Sequence, residues 1–325
     1  MGKGNRQLDF RVWAVHTAIA VLILAAIAPA NLRAQDRAPH ANQIAFASNR
    51  DGDFEVYLMD ADTGEIFAQL TDNTANDIGP TWSPDGTHIA FASDVDGDYE
   101  IYSLDVETGE SINLTNNTAD DLYPAWSPNG RQIAFTTNRD RNWEIYAMDT
   151  SGKGLNRLTN EAVYDGNPSW SPNGGQIVFV VGRDKDREIS VMNADGSNIR
   201  QITNNNVADY GPVWSPDTTS DLIAFVSSGV GRRPDIPSIY TVDLLCLNQS
   251  DGCQDSSVIL TPEDGGVDPA WSPDGSRLVF VSGRDGTPEV GNSELYIMDA
   301  NGGNVRRLTD DPNDDRFPAW WSAQK

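Results

Sequence analysis

Histidine is nearly missing from this 325-residue chain. There are three, and only His40 and His88 lie outside the first thirty residues. A catalytic triad needs an imidazole beside its nucleophile, and a zinc site needs clustered imidazoles or thiolates. Neither histidine stands near a serine motif, and G-x-S-x-G does not occur. Cysteine is equally scarce: Cys246 and Cys253 both fall in "LLCLNQSDGCQDSS". Two thiols without a nearby histidine make a poor metal site, so the pair reads as an intraloop disulfide that pins a loop. Positive charge is short too, with 23 Lys and Arg against 48 Asp and Glu and a formal charge of −25. Such a surface repels nucleic acid and anionic lipid headgroups and suits a basic protein partner or a divalent cation. Long apolar runs are absent but for one, "VWAVHTAIAVLILAAIA" from Val12 to Ala28. Lys3, Arg6 and Arg11 precede it, and Ala28-Pro29-Ala30 follows as an A-x-A cleavage site. Residues 1–34 therefore read as an export signal or an uncleaved N-terminal anchor, and 35–42 as a linker. The anchor would be the only membrane contact.

What is plentiful is punctuation. There are 28 Gly and 18 Pro, and their dipeptides break the chain into short apolar runs, the mark of many short strands. The runs repeat. The Trp of "WSP" falls at Trp82, Trp126, Trp170 and Trp214, 44 residues apart, and again at Trp271. Each copy holds four segments, of the kinds "PAWS", "QIAF", "EIYAMD" and "LNRLT". The first two are joined by "SPNG" or "SPDG" and the last two by turns such as "ADTGE", so each copy is a four-stranded antiparallel meander, strands a to d. A lone meander leaves a face bare, whereas sheets stacked about an axis cover one another. The second segments begin at Ile44, Ile89, Ile133, Ile177, Ile223 and Leu278, which makes six. The fold class is all-β: a six-bladed β-propeller over residues 43–325. The first copy lacks strand a and the last ends on one, "FPAWWS", so the C-terminal strand completes the N-terminal blade and leaves no open edge. The Thr of "LT" precedes the Trp by 11 residues at Thr71, Thr115, Thr159 and Thr203. The same count from Thr309 selects Trp320, not Trp321, for the repeat position.

The pattern PxWSPDGxxIAFxS…EIYxMD…LT resembles the WD40-like PD40 repeat of TolB-type propellers, also found in propellers fused to prolyl-oligopeptidase-type peptidases. The likeness runs over about residues 43–322. It covers the propeller part alone: TolB proteins add an α/β domain and the peptidases a hydrolase domain, and neither is expected here. It implies a fold more than a function, because the fold hosts many.

Function is expected where the copies differ, on the face carrying the d–a and b–c connections, called the top. Asp77, Asp121, Asp165, Asp209 and Asp315 stand five residues before the repeat Trp, with Gly266, flanked by Asp264 and Asp268, in the sixth place. At the start of the innermost strand they are expected to form an acidic channel mouth that attracts a protein or peptide partner, possibly a basic one. They are equally suited to bonding nearby backbone N–H groups. Arg50, Arg139, Arg183 and Arg284 follow the Phe of strand b by four residues and are expected to pair with this ring. The b–c loops lengthen in blades five and six, and Arg232 and Arg233 make that sector locally positive. Insertions on one face mark a binding face, so these two arginines join the partner-binding set. The alternative is a carbohydrate-binding or polysaccharide-cleaving propeller using carboxylates at the same mouth. No cofactor is expected. "NRDGDFE" and "DVDGDYE" have the composition of calcium loops but not the EF-hand spacing, and sibling loops lose carboxylates, so Ca²⁺ stays a minor alternative. The balance favours an exported binding module over an enzyme, placed in the periplasm, at the cell surface or outside the cell.

Overall fold

Each segment ending in the repeat Trp becomes the first strand of a four-stranded sheet. In the computed structural model the residues described are 42–228, 236–248, 253, 257–261, 263–285 and 292–322. Six sheets of four strands form, each hydrogen-bonded in the order a-b-c-d. Blade two shows the pattern: Asp77–Trp82, His88–Ser93, Glu100–Asp105 and Ser111–Asn113. Strand d is the weak outer member, only two residues long in blades three to six. Among the described residues the only helical pieces are two short 3-10 turns, Asp184–Asp186 and Leu244–Asn248. The segment 1–34 and the linker to residue 41 lie outside the described residues.

The ring closes as the spacing predicts. Asp315–Ser322 is strand a of blade one and pairs antiparallel with Asn42–Ser48, the strand b that precedes it by most of the chain. Trp320 lies opposite Ile44, as Trp82 lies opposite Ile89 and Trp126 opposite Ile133. Trp320 thus takes the repeat position, and no blade is left with a free inner edge.

Period-two alternation explains how six sheets share one core. In blade one, Ile44, Phe46, Tyr57 and Met59 pack toward blade six, while Ala45, Val56 and Leu58 pack toward blade two. Every junction repeats this, so the core is six apolar clusters, each between two consecutive blades. The repeat Trp is the wedge. Trp82, Trp170, Trp214, Trp271 and Trp320 are each 6–8 % exposed. Three of them tie to strand a of the blade before: Trp82, Trp170 and Trp271 donate Nε1–H to Ala319, Ala125 and Val213 carbonyls at 3.2, 3.1 and 3.2 Å.

Strand a lines the axis. A cavity of about 600 Å³ opens among Thr81, Ala125, Ser169, Val213, Ala270 and Ala319, one from each blade. In every blade the register of strand a slips midway, between Ile78 and Thr81, Leu122 and Ala125, and at the equivalent places in the other four. The residue at the slip is left-handed in all six: Gly79, Tyr123, Asn167, Gly211, Asp268 and Phe317, with φ between 48 and 61°. Four of these are not glycine, a conformation L residues adopt at a cost, and a bulge of this kind re-aims a side chain.

Candidate functional site

The five aspartates stand where the spacing puts them. Asp77, Asp121, Asp209 and Asp315 open strand a, and Asp165 is its second residue in blade four. Their exposure, however, is only 0–1 %, so the mouth is not an open funnel of these carboxylates. The reason is a clasp between blades. Strand c of the preceding blade opens on a buried Glu. In blades two, three and four the Thr of "LT" donates its hydroxyl to that Glu: Thr115 to Glu100, Thr159 to Glu144 and Thr203 to Glu188. Two residues on, Asn73, Asn117 and Asn205 donate the backbone N–H to the Glu of their blade and the side-chain amide to the Asp of the next, at 2.8, 2.6 and 2.8 Å. Two carboxyls thus meet in a dry place. Burial pushes Glu55 and Glu100 up to about 7, with Asp77 and Asp121 beside them adding to the rise and threonine and loop amides opposing it. Burial also raises Asp77, Glu188 and Asp209.

The arginines answer this unevenly. Arg139 Nη2 reaches both Asp121 oxygens at 3.0 Å, and Arg50 Nη2 lies 2.9 Å from Asp315 and from Asp311. Each is aimed by a hydroxyl two residues earlier, Thr137 at 3.0 Å or Ser48 at 2.8 Å from Nε, and stacks over a Phe and a Tyr of its blade. In blade four that hydroxyl is replaced by Val181. Arg183 turns to the Ala162 carbonyl at 2.9 Å, and neither Asp165 oxygen has a hydrogen-bond partner. The asparagine of the clasp is also lost there, to Glu161. Asp165 is pushed up to about 7 by burial and by Glu144. Between blades five and six both acids vanish together: Ser238 opens strand c and Gly266 takes the Asp place. A Cβ at Gly266 would come within 2.9 Å of Phe280, so packing fills the space that the acids hold elsewhere. Arg284 then donates to the Gly265 carbonyl at 3.0 Å and faces Asp264 at 3.8 Å.

The residues that face the axis are the left-handed ones and their neighbours. Tyr123 of blade three feels the charge of Asp268 of blade six, on the opposite side of the ring, and the side chain of Asn167 of blade four. Tyr210 of blade five feels Asp268 as well, and Asp268 feels Arg316 of blade one. Groups from five blades influence one another in this way only if they converge on the axis. Tyr164 donates its hydroxyl to Asn167 Oδ1 at 2.8 Å and carries the Arg187 guanidinium 4.4 Å above its ring. Asp268 is still reached by solvent but is enclosed by the channel wall. This burial pushes it up to about 6, with Arg316 opposing. Of this ring only Asp268 stood out in the sequence, as a neighbour of Gly266. The ring's signal was available: between repeating neighbours the position changes from Gly to Tyr, Asn, Gly, Asp and Phe.

A family model, described as the TolB beta propeller domain (PD40), matches residues 23–181 and 100–233, most of the chain. The chain belongs to the TolB β-propeller family. The TolB crystal structure from Acinetobacter baumannii superposes with a TM-score of 0.71 over 87 % of this chain and 67 % of that one, at 22 % identity. A chain of a nidogen/laminin complex superposes at 0.67 over 86 % of this chain and 98 % of its own, at 12 % identity. Both likenesses are of fold. In sequence, the uncharacterized peptidase YuxL of Bacillus subtilis (strain 168) is 45 % identical over 58 residues. That match spans 18 % of this chain and 8 % of YuxL.

The remaining expected residues of this TolB-type propeller divide in two. Arg232 and Arg233, with the tips of both long b–c loops, lie outside the described residues. Cys246 and Cys253 are joined in a disulfide, and both sulfurs sit in the apolar cluster between blades four and five with Val242 and Trp214. The bridge therefore belongs to the core as well as to its loop. In the loop "DVDGDYE", Asp94 accepts the backbone N–H and side-chain amide of Asn76, at 2.7 and 3.1 Å, and so ties the b–c turn to the strand-a entry of its blade. Among the described residues no group of three or more His, Cys, Asp or Glu is arranged to hold a metal.

Proposed function

We propose that this TolB-type propeller is an exported module that binds a protein or peptide at its top face, and that it is not an enzyme. The axial cluster carries the reading. Asp268 offers a carboxylate with Tyr123 and Tyr210 about it, a setting that takes a Lys or Arg side chain through charge and ring faces together. Exposed loop acids, among them Asp51, Asp72, Asp96 and Asp140, surround the mouth and draw such a partner in. The buried aspartates hold these loops in place rather than touching the partner. Export is supported by the basic and apolar N-terminal run and by the disulfide, which persists in an oxidising compartment. The nidogen/laminin complex supports the idea that a propeller of this shape serves as a protein-binding body.

The test is capture from an envelope extract by the full chain, beside Asp268→Asn and Tyr123→Gly variants. Glycine already occupies this left-handed position in blades two and five, so the backbone tolerates the change. A protein retained by the unaltered chain, lost from both variants at unchanged Tm and released by added salt, supports the reading. Equal, salt-insensitive retention by all three would sink it.

A further inference from the structure

The junction of blades two and three departs from the others on the bottom face. The fourth residue of strand c faces the repeat Trp of the next blade. It is Leu58, Ala147, Val191 or Ile297 at four junctions, each a member of the apolar cluster there, and the buried Thr241 before Trp271. Before Trp126 it is Ser103, which joins no cluster. Trp126 is partly exposed, unlike the other five repeat tryptophans; its Nε1–H, like that of Trp214, has no partner among the described residues. A cleft of about 590 Å³ opens beside it, bounded by the a–b turn and the c–d hairpin of blade two. This volume suits a small ligand.

The lining has a defined chemistry. The Trp126 indole with Pro84 and Pro128 supplies apolar surface. Two carboxylates are held rigidly by their own turns with one oxygen uncommitted. Asp85 Oδ1 accepts from the Ser83 hydroxyl at 2.6 Å and from the Thr87 N–H and hydroxyl at 3.1 and 2.8 Å, which leaves Oδ2 free. Asp105 Oδ1 accepts the Thr108 N–H at 2.7 Å, while Oδ2 stands 4.0 Å from His88 Nε2. Among the described lining residues there is no Lys or Arg. A ligand here must present an apolar face to an indole and donate hydrogen bonds to fixed acceptors, without negative charge of its own. A pyranose ring does both, with C–H groups on one face and hydroxyls at its rim. We propose that the cleft between blades two and three binds one pyranose unit of a neutral glycan, its C–H face on Trp126 and its hydroxyls on Asp85 and Asp105. This site lies on the face opposite the partner-binding mouth, so either can fail alone.

The experiment is titration of the isotopically labelled full chain with neutral cello-, chito- and malto-oligosaccharides, following the Trp126 indole N–H by NMR. The signal is assigned by its loss in Trp126→Phe. One of the neutral series should shift this resonance, while oligogalacturonate leaves it in place. Ser103→Leu fills the cleft as Leu58 does beside Trp82 and should abolish the shift. Asp105→Asn, which keeps the turn, should weaken binding about tenfold or more, since a hydrogen bond to a charged group is lost. No shift with any neutral series, a shift retained in Ser103→Leu, or a response to simple amines but not to sugars would each overturn the proposal.

Discussion

The clasp between blades one and two and the clasp between blades six and one use the same acids and neutralise them differently. At the first, Glu55 and Asp77 meet no guanidinium among the described residues, and Glu55 Oε2 and Asp77 Oδ1 are both without partners there, two oxygens that a single shared proton can join. At the second, Arg50 holds Asp315, and Arg307 lies 2.7 Å from Glu294. A repeat can therefore keep an acid pair in its core by retaining a proton or by recruiting a cation. The neighbouring side chains decide which.

Removing one member of a cation-held clasp should have the largest effect. Asp121→Ala leaves Arg139, only 19 % exposed at its side chain, without its carboxylate. The expected loss is about 3–5 kcal/mol, read from the urea midpoint. A proton-held clasp should behave in the opposite way. Glu55 keeps its proton to about pH 7 in the folded chain, against an ordinary 4.5 when unfolded. Its contribution is full below pH 4.5 and fades as pH rises toward 7, where the unfolded chain binds fewer protons than the folded one. Glu55→Gln supplies a permanent donor to Asp77. It should raise stability on the order of 1–3 kcal/mol at pH 8 and leave it nearly unchanged at pH 4.5, as Tm measured at both values will tell.

Blade four offers a conversion from one kind to the other. Val181→Thr restores the hydroxyl that aims the arginine, so Arg183 should swing onto the unpartnered Asp165. A gain of about 1 kcal/mol near neutral pH is expected, and none when Arg183 is also changed to Ala. The smallest effect should come from the rim of the six–one clasp. Asp310 is 86 % exposed and lies 2.9 Å from Arg307. Asp310→Asn should move the urea midpoint by less than about 0.5 kcal/mol, a shift that vanishes at high salt.

These contrasts also mark what a sequence can disclose. Blade number, closure and the choice of Trp320 over Trp321 followed from spacing, because every copy obeys one hydrogen-bond register. The place of Asp77 and its equivalents followed in the same way. Their burial did not, since it depends on a glutamate some twenty residues earlier and on an asparagine amide between them. Of the four arginines expected to pair with the ring, Arg50 and Arg139 do so. Arg183 and Arg284 lose that partner to Val181 and Gly266, changes that look trivial in a string of letters. The axial ring and the Trp126 cleft lay in the variation itself. Tyr123, Asp268 and Ser103 matter because their counterparts in other blades are different.

Closure by the C-terminal strand has a bearing on how the molecule comes into being. Asp315–Ser322 follows every other strand in synthesis, yet its partner Asn42–Ser48 is near the beginning. Until the final segment emerges, blade one presents a bare inner edge and Ile44 faces no tryptophan. A chain cut short before residue 315 would carry a sticky margin open to pairing with other chains and to proteolysis. Closure of the ring thus waits on the strand made last among those described.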